Sequence, residues 1–243
     1  MDAVAPHLTV EEKRTRAGRF REGLASVREA LAPVAPTGTR VLPVPSPLAL
    51  LLPDGGLRRG TVVEVGGRAG TALTLALLGP ATAEGAWVAF VGSEDLGLLA
   101  GRELGVDLRR CLLVDPPAGS RLAEALALLV DVVDAIVLGP SLGLGAAVER
   151  RLRARARERG VVVLSRRAEG DGPPADPPDV RLAGEEEEWV GLAAGAGRLT
   201  ARRLRVAARG RGSAARPRSV EVWLPAPGGD GVASVERAIT GSG

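Results

Sequence analysis

The sequence predicts an α/β domain, a mostly parallel sheet flanked by helices and continued on its C-terminal side by antiparallel strands. Three observations carry this. From Leu48 to Leu164 short apolar runs alternate with helix-length segments, the pattern of right-handed βαβ units. Those runs are continuously apolar, as strands covered on both faces are. After Ser165 the pattern changes: Arg203-Leu204-Arg205-Val206 and Val220-Glu221-Val222-Trp223 alternate, as antiparallel strands with one wet face do.

Taken in order, residues 11–31 read as an amphipathic helix. Phe20, Leu24, Val27 and Leu31 recur at helical spacing on one face, and Thr9 with Glu12 makes a capping-box pattern. Pro33 and Pro36 end it. Residues 33–47 hold five prolines and read as an extended linker. The expected organisation is a helix at 1–32, a linker at 33–47, a core at 48–224 and a flexible tail at 225–243. In the core, strands are expected at Thr61–Val65, Trp87–Val91, Cys111–Val114, Ala135–Leu138 and Val161–Leu164. Helices are expected between them at Thr71–Leu78, Leu96–Leu104, Arg121–Val130 and Ala146–Arg159. Residues 169–178 read as a Pro/Gly/acidic loop, and Val180–Leu182, Arg198–Val206 and Ser219–Leu224 complete the strands.

The 243 residues, 45% of them hydrophobic, suffice for one sizeable core, and with aromatics at only 2% Leu, Val, Ala and Ile must build it. The formal net charge is +3 and Lys13 is the single lysine. Such an Arg bias fits a GC-rich coding sequence as well as nucleic-acid contact, so charge alone does not identify a partner. Cys111 lies in an apolar strand-like run and has no disulfide partner in the chain, so a buried, inert thiol is expected. Apolar runs such as Leu48–Leu52 and Leu126–Val130 are too short to span a bilayer, and residues 1–10 carry no signal-peptide core. A cytoplasmic protein is expected. With His7 as the only histidine, neither a Ser/His/Asp set nor a His/Cys metal cluster can be built.

Chemistry is expected where a strand runs through glycines into a helix. A phosphate-binding loop needs the spacing G-x-x-x-x-G-K-[ST], because backbone N–H groups wrap the phosphates, the lysine neutralises them and the hydroxyl holds magnesium. Here the segment is Gly66-Gly67-Arg68-Ala69-Gly70-Thr71. The loop is too short and no lysine follows Gly70. Thr71 offers a hydroxyl and Arg68 a charge. The neighbouring magnesium carboxylate is also absent: Ala135–Leu138 runs into Gly139-Pro140. Glu94, after Trp87–Val91, stands where a water-activating base would lie. Phosphoryl transfer depends on such positioning and charge, so no ATPase activity and no cofactor are expected.

Several of these segments resemble one family. Gly55-Gly56-Leu57-Arg58-Arg59-Gly60-Thr61-Val62-Val63-Glu64-Val65 looks like the entry to the phosphate loop of RecA proteins. Ala89-Phe90-Val91-Gly92-Ser93-Glu94, followed by Leu104-Gly105-Val106-Asp107, resembles that family's strand with the catalytic Glu. Asp134–Gly139 resembles its magnesium strand, with the Asp replaced. The resemblance covers about 48–224 and is strongest to actinobacterial ImuA-type mutasome accessory proteins, degenerate RecA relatives. It implies a non-catalytic adaptor in damage-induced translesion DNA synthesis. The implied partners are an ImuB-like Y-family polymerase homologue and an error-prone DnaE-type polymerase. Two other classes fit the residues: a divergent ATP-binding protein, and a DNA-binding module using the Arg-rich C-terminal part.

Two surfaces are candidates for partner contact. The stripe Phe20, Leu24, Val27 and Leu31 either packs on its own core or reaches another chain, a second copy included. Eight arginines between Arg198 and Arg218, among them Arg202, Arg203 and Arg205, lie in a stretch without an acid. They form either a solvated face or a basic surface for DNA phosphates or an acidic protein. The run Glu185–Glu188 reads as solvated, and Trp189 and Trp223 as core or edge packing.

Overall fold

A computed structural model describes residues 40–115, 121–140, 142–168, 176–193, 196–228 and 231–235. The N-terminal stripe at 20–31 lies outside these residues. The chain opens with β1 (Val41–Leu42), α1 (Ser46–Ala49) and β2 (Leu57–Arg58), and β1 pairs antiparallel with β2. The parallel core follows: β3 (Val62–Gly67), α2 (Gly70–Ala83), β4 (Val88–Val91), α3 (Leu98–Glu103), β5 (Cys111–Val114), α4 (Arg121–Leu129), β6 (Ala135–Leu138), α5 (Ala146–Arg159) and β7 (Val162–Arg166). Four more strands complete the sheet: β8 (Val180–Ala193), β9 (Ala196–Gly210), β10 (Arg218–Trp223) and β11 (Ala233–Ser234).

The nine-stranded sheet runs β11-β10-β9-β8-β3-β7-β6-β4-β5. Strands β8, β3, β7, β6, β4 and β5 are mutually parallel, and β8 through β11 are antiparallel. The connections β3–α2–β4 and β4–α3–β5 step one way along the sheet, whereas β5–α4–β6 and β6–α5–β7 step back. Right-handed crossovers therefore place α2 and α3 on one face and α4 and α5 on the other. The apolar side chains follow this division. Val63, Val65, Phe90, Val137 and Leu164 pack with α2, and Val62, Ala89, Val91, Ile136 and Val163 pack with α4 and α5. Period-two alternation splits each strand between two cores, so the runs must be apolar throughout.

Three expectations need correction. Residues 40–47 belong to the core, not to a linker: Leu42, Val44 and Leu48 are buried. Each such side chain contributes roughly 1.5–3 kcal/mol on leaving water. The prolines are compatible with this, since Pro47 sits in the first turn of α1, where its missing N–H is not needed. Helix α2 continues through Pro80 to Ala83, although Gly79-Pro80 reads as a stop. Its residues are buried nearly all round, and packing overrides the local signal. The tail is ordered at least to Val235, because β11 pairs with β10 and the Gly231 N–H donates to the Glu103 carbonyl (2.9 Å). The run Glu185–Glu188 lies in the middle of the long strand β8, with Glu185, Glu186 and Glu188 exposed as expected. The wet antiparallel extension itself is as expected.

Among the described residues no helix is long and apolar enough to cross a membrane.

Candidate functional site: the glycine loop after β3 and the arginine strands

The carboxyl ends of β3, β4, β6 and β7 meet where α3 and α5 leave the adjacent strands β4 and β6 on opposite faces. Open α/β sheets bind ligands at such a point. Here the loop backbones and polar side chains of the crevice bind one another, and a cavity of about 120 Å³ lies beside them, lined in part by Gly139, Pro140, Ser165 and Arg166.

The loop after β3 is stitched to β8. Gly66 and Gly67 continue the ladder opposite Ala183 and Gly184, and the Arg68 N–H donates to the Gly184 carbonyl (2.8 Å). A Cβ on Gly67 (φ +71°) would lie 2.4 Å from the Gly184 oxygen, and one on Gly184 only 1.9 Å from the Arg68 oxygen. Two backbones without side chains are needed for this approach. The Arg68 N–H, which a phosphate-binding loop would aim at a ligand, is thereby used in the sheet. Only Arg68 and Ala69 separate β3 from α2, and Ala69 adopts the left-handed conformation (φ +60°). That conformation costs an alanine roughly 1–2 kcal/mol.

Thr71, in the first turn of α2, is also engaged. Arg166, at the end of β7, donates to the Thr71 hydroxyl (2.6 Å). The same guanidinium grips Asp95 with both forks, Nη1 to Oδ1 at 2.7 Å and Nη2 to Oδ2. Arg166 is buried, its side chain 7% exposed, while the Asp95 carboxylate is half exposed. The Arg166 hydrogen bonds hold the Asp95 carboxyl below its usual range. This cluster ties together α2, the β4–α3 loop and β7. Glu94, the residue expected as the relic base, is exposed beside it and takes no part; its neighbour Asp95 does.

The magnesium side is closed sterically. The Gly139 N–H donates to the Val91 carbonyl (2.9 Å), drawing the ends of β6 and β4 together. A Cβ on Gly139 would stand 1.7 Å from the Gly92 oxygen, so no carboxylate-bearing residue fits. Among the described residues, no group of three or more His, Cys, Asp or Glu could hold a metal ion.

The arginine strands also differ from expectation, because the sequence of β9 carries no acid but its neighbours do. Register sets Glu186 opposite Arg205, Glu188 opposite Arg203 and Glu221 opposite Arg205. On the wet face Arg181 pairs with Glu64 (2.6 Å), Arg203 with Glu221 (2.6 Å) and Arg205 with Glu185 (3.7 Å). Arg202 points to the other face and is buried. It donates to the Leu224 carbonyl (2.8 Å), pairs with Glu187 (3.5 Å) and stacks on Trp189 at 4.8 Å from the ring centre. Arg181, Arg202, Arg203 and Arg205 are thus matched within the sheet, whereas Arg209 and Arg218 form no ion pair with another described residue.

The site residues Gly66, Gly67, Gly70 and Thr71 are therefore brought together as expected, but Arg166 and Asp95 decide the chemistry. The sequence reading assigned Arg166 to a loop. The available signal was the pair Arg166-Arg167 directly after the apolar run Val162–Ser165, since a charge that continues a buried strand calls for a partner. Cys111 is half-buried, where full burial was expected; that burial, helped by the Asp107 charge, pushes its thiol up to about 11. Alkylation of native protein should be slow at pH 8 and still accelerating at pH 10. A labelling rate that levels off below pH 9 would contradict this.

Residues 50–170 match the family described as the MT3502 N-terminal domain. The chain is also 38% identical over 148 residues to the uncharacterized protein Rv3395c of Mycobacterium tuberculosis. That match covers 59% of this chain and 69% of the mycobacterial protein. The chain belongs to this family. The MT3502-type segment contains the relic loop, Asp95, Gly139 and Arg166, and it ends before β8.

Proposed function

We propose that the chain is a non-catalytic RecA-like adaptor that works through protein contacts in damage-induced translesion DNA synthesis. The sequence resemblance to ImuA-type accessory proteins motivates this assignment and its partners, an ImuB-like polymerase homologue and a DnaE-type polymerase. The observation that carries the non-catalytic part is the Arg166–Asp95–Thr71 cluster, in which an internal carboxylate holds the buried guanidinium at the end of β7. Arg68 and Gly139 support it from either side, one with a spent N–H and the other with no room for an acid. A divergent ATP-binding protein would need those groups free. A DNA-binding module built on Arg202, Arg203 and Arg205 would need those arginines not to be matched by glutamates.

Calorimetry with Mg-ATP should give no saturable heat and no turnover. Micromolar binding, or turnover abolished by Glu94→Gln, would overturn the non-catalytic reading. Capture of the intact chain from damaged cells should retain the two polymerase-type partners; their absence alongside a folded bait would remove the adaptor role.

A further inference from the structure

At the amino ends of the strands, away from the relic loop, the chain leaves a cleft of about 470 Å³. Arginines from three distant stretches line it: Arg58 of β2, Arg157 of α5 and Arg211 beyond β9. The backbone brings them together. Gly60 (φ +77°) turns β2 into β3 and lies so close to α5 that a Cβ there would come within 3.1 Å of the Arg157 Cα. Arg59 anchors this turn by donating to Asp134 (2.8 Å). On the opposite wall the Arg211 N–H donates to the Asp179 carbonyl (3.1 Å), and its guanidinium lies 3.4 Å from the carboxylate. The second oxygen of Asp179 already accepts from the Val62 N–H (2.9 Å).

Charge balance separates this region from the middle of the arginine strands. On the wet face of β8–β10 each of Arg181, Arg203 and Arg205 has a glutamate. In the cleft Asp179 is committed internally, and the exposed Asp54 is the other lining carboxylate. Arg58 and Arg157 are exposed and form no ion pair with another described residue. The unpaired charge continues out of the cleft along α5. Arg150 lies two turns from Arg157, about 10 Å away, and both Arg150 and Arg151 are exposed and unpaired, with Glu158 the exposed acid among them. By contrast, Arg155 and Arg159 of the same helix are held by Asp131 (2.6 and 3.2 Å).

We propose that the cleft and the exposed stripe of α5 form a surface that binds the phosphodiester backbone of nucleic acid. Unpaired guanidinium forks suit phosphate oxygens. No aromatic side chain lines the cleft, so the contact is with backbone and not with stacked bases, and it is indifferent to sequence. This surface is distinct from the C-terminal arginine strands and does not depend on the adaptor reading.

The test is fluorescence anisotropy of the full chain with labelled single-stranded and duplex oligonucleotides across a salt series. Arg58→Ala/Arg157→Ala should weaken binding about tenfold at low salt and lower the slope of log K against log salt by about two. Arg157→Glu alone should act in the same direction. Arg203→Ala/Arg205→Ala should change affinity less than about twofold, since those charges are already neutralised. Absence of salt-dependent binding by the unaltered chain overturns the proposal. So does an equal loss in the two double variants, which would report net charge alone. Displacement by polyglutamate as effective as by unlabelled DNA, at equal charge, would assign the surface to an acidic protein and overturn it as well.

Discussion

Gly139→Asp is expected to unfold the domain and not to create a metal site. The substitution restores a carboxylate at the end of β6, and on sequence alone it looks like a repair. In the fold the new Cβ would stand 1.7 Å from the Gly92 oxygen, and the obstacle is backbone, which cannot rotate away. The ends of β4 and β6 would have to separate, breaking the Gly139–Val91 hydrogen bond (2.9 Å) and opening two strands whose residues are buried on both faces. Overpacking of this kind, with a charge added, should cost about 4 kcal/mol or more, out of a total stability of roughly 5–15 kcal/mol. Gly139→Ala, which adds only the Cβ, should lose most of the same amount. Urea unfolding followed by circular dichroism measures both. A Gly139→Ala midpoint equal to that of the unaltered chain would show that the crevice is not closed at this point.

The second large effect is expected at Asp95. Asp95→Ala leaves the buried Arg166 guanidinium without its carboxylate, with Thr71 as the other ligand described here. Breaking a buried pair by removing one partner costs about 3–5 kcal/mol. Because Asp95 itself is half exposed, we expect a cost below that range, about 2–3 kcal/mol, after allowance for solvent screening. In an Arg166→Leu background the same Asp95→Ala change should cost far less, since no charge is then stranded. Equal costs in the two backgrounds would mean that the pair does not clamp the crevice. The pH dependence has a definite sign. The folded carboxyl is held below its ordinary value of 3.8, so the contribution is complete above that value and is lost as pH falls through the lower, folded one. The stability gap between the unaltered chain and Asp95→Ala should therefore be constant near neutrality and narrow in acid below about pH 4.

Both predictions concern residues that the local pattern treats differently from the fold. The gap at Gly139 is visible in the sequence as a missing acid. What cannot be seen there is that Gly92, from another strand, fills the space. Asp95 is adjacent to the residue that the RecA-like pattern points to, and its role depends on Arg166, which lies 71 positions away.

The sequence by itself determined the alternation of strands and helices, the buried parallel core, the wet antiparallel extension and the short glycine turn between β3 and α2. Those features depend on local period, composition and spacing, which the chain carries in order. Tertiary structure alone decided which charges are available. Arg203 and Arg205 look unopposed along β9, yet strand pairing places glutamates of β8 and β10 beside them. Arg58 and Arg157 are unremarkable along the chain, yet the Gly60 turn packs on α5 and leaves them in one cleft without carboxylate partners. Electrostatic pairing depends on separations of a few ångströms in space, and neighbours at that distance are set by strand register and helix packing, not by sequence order.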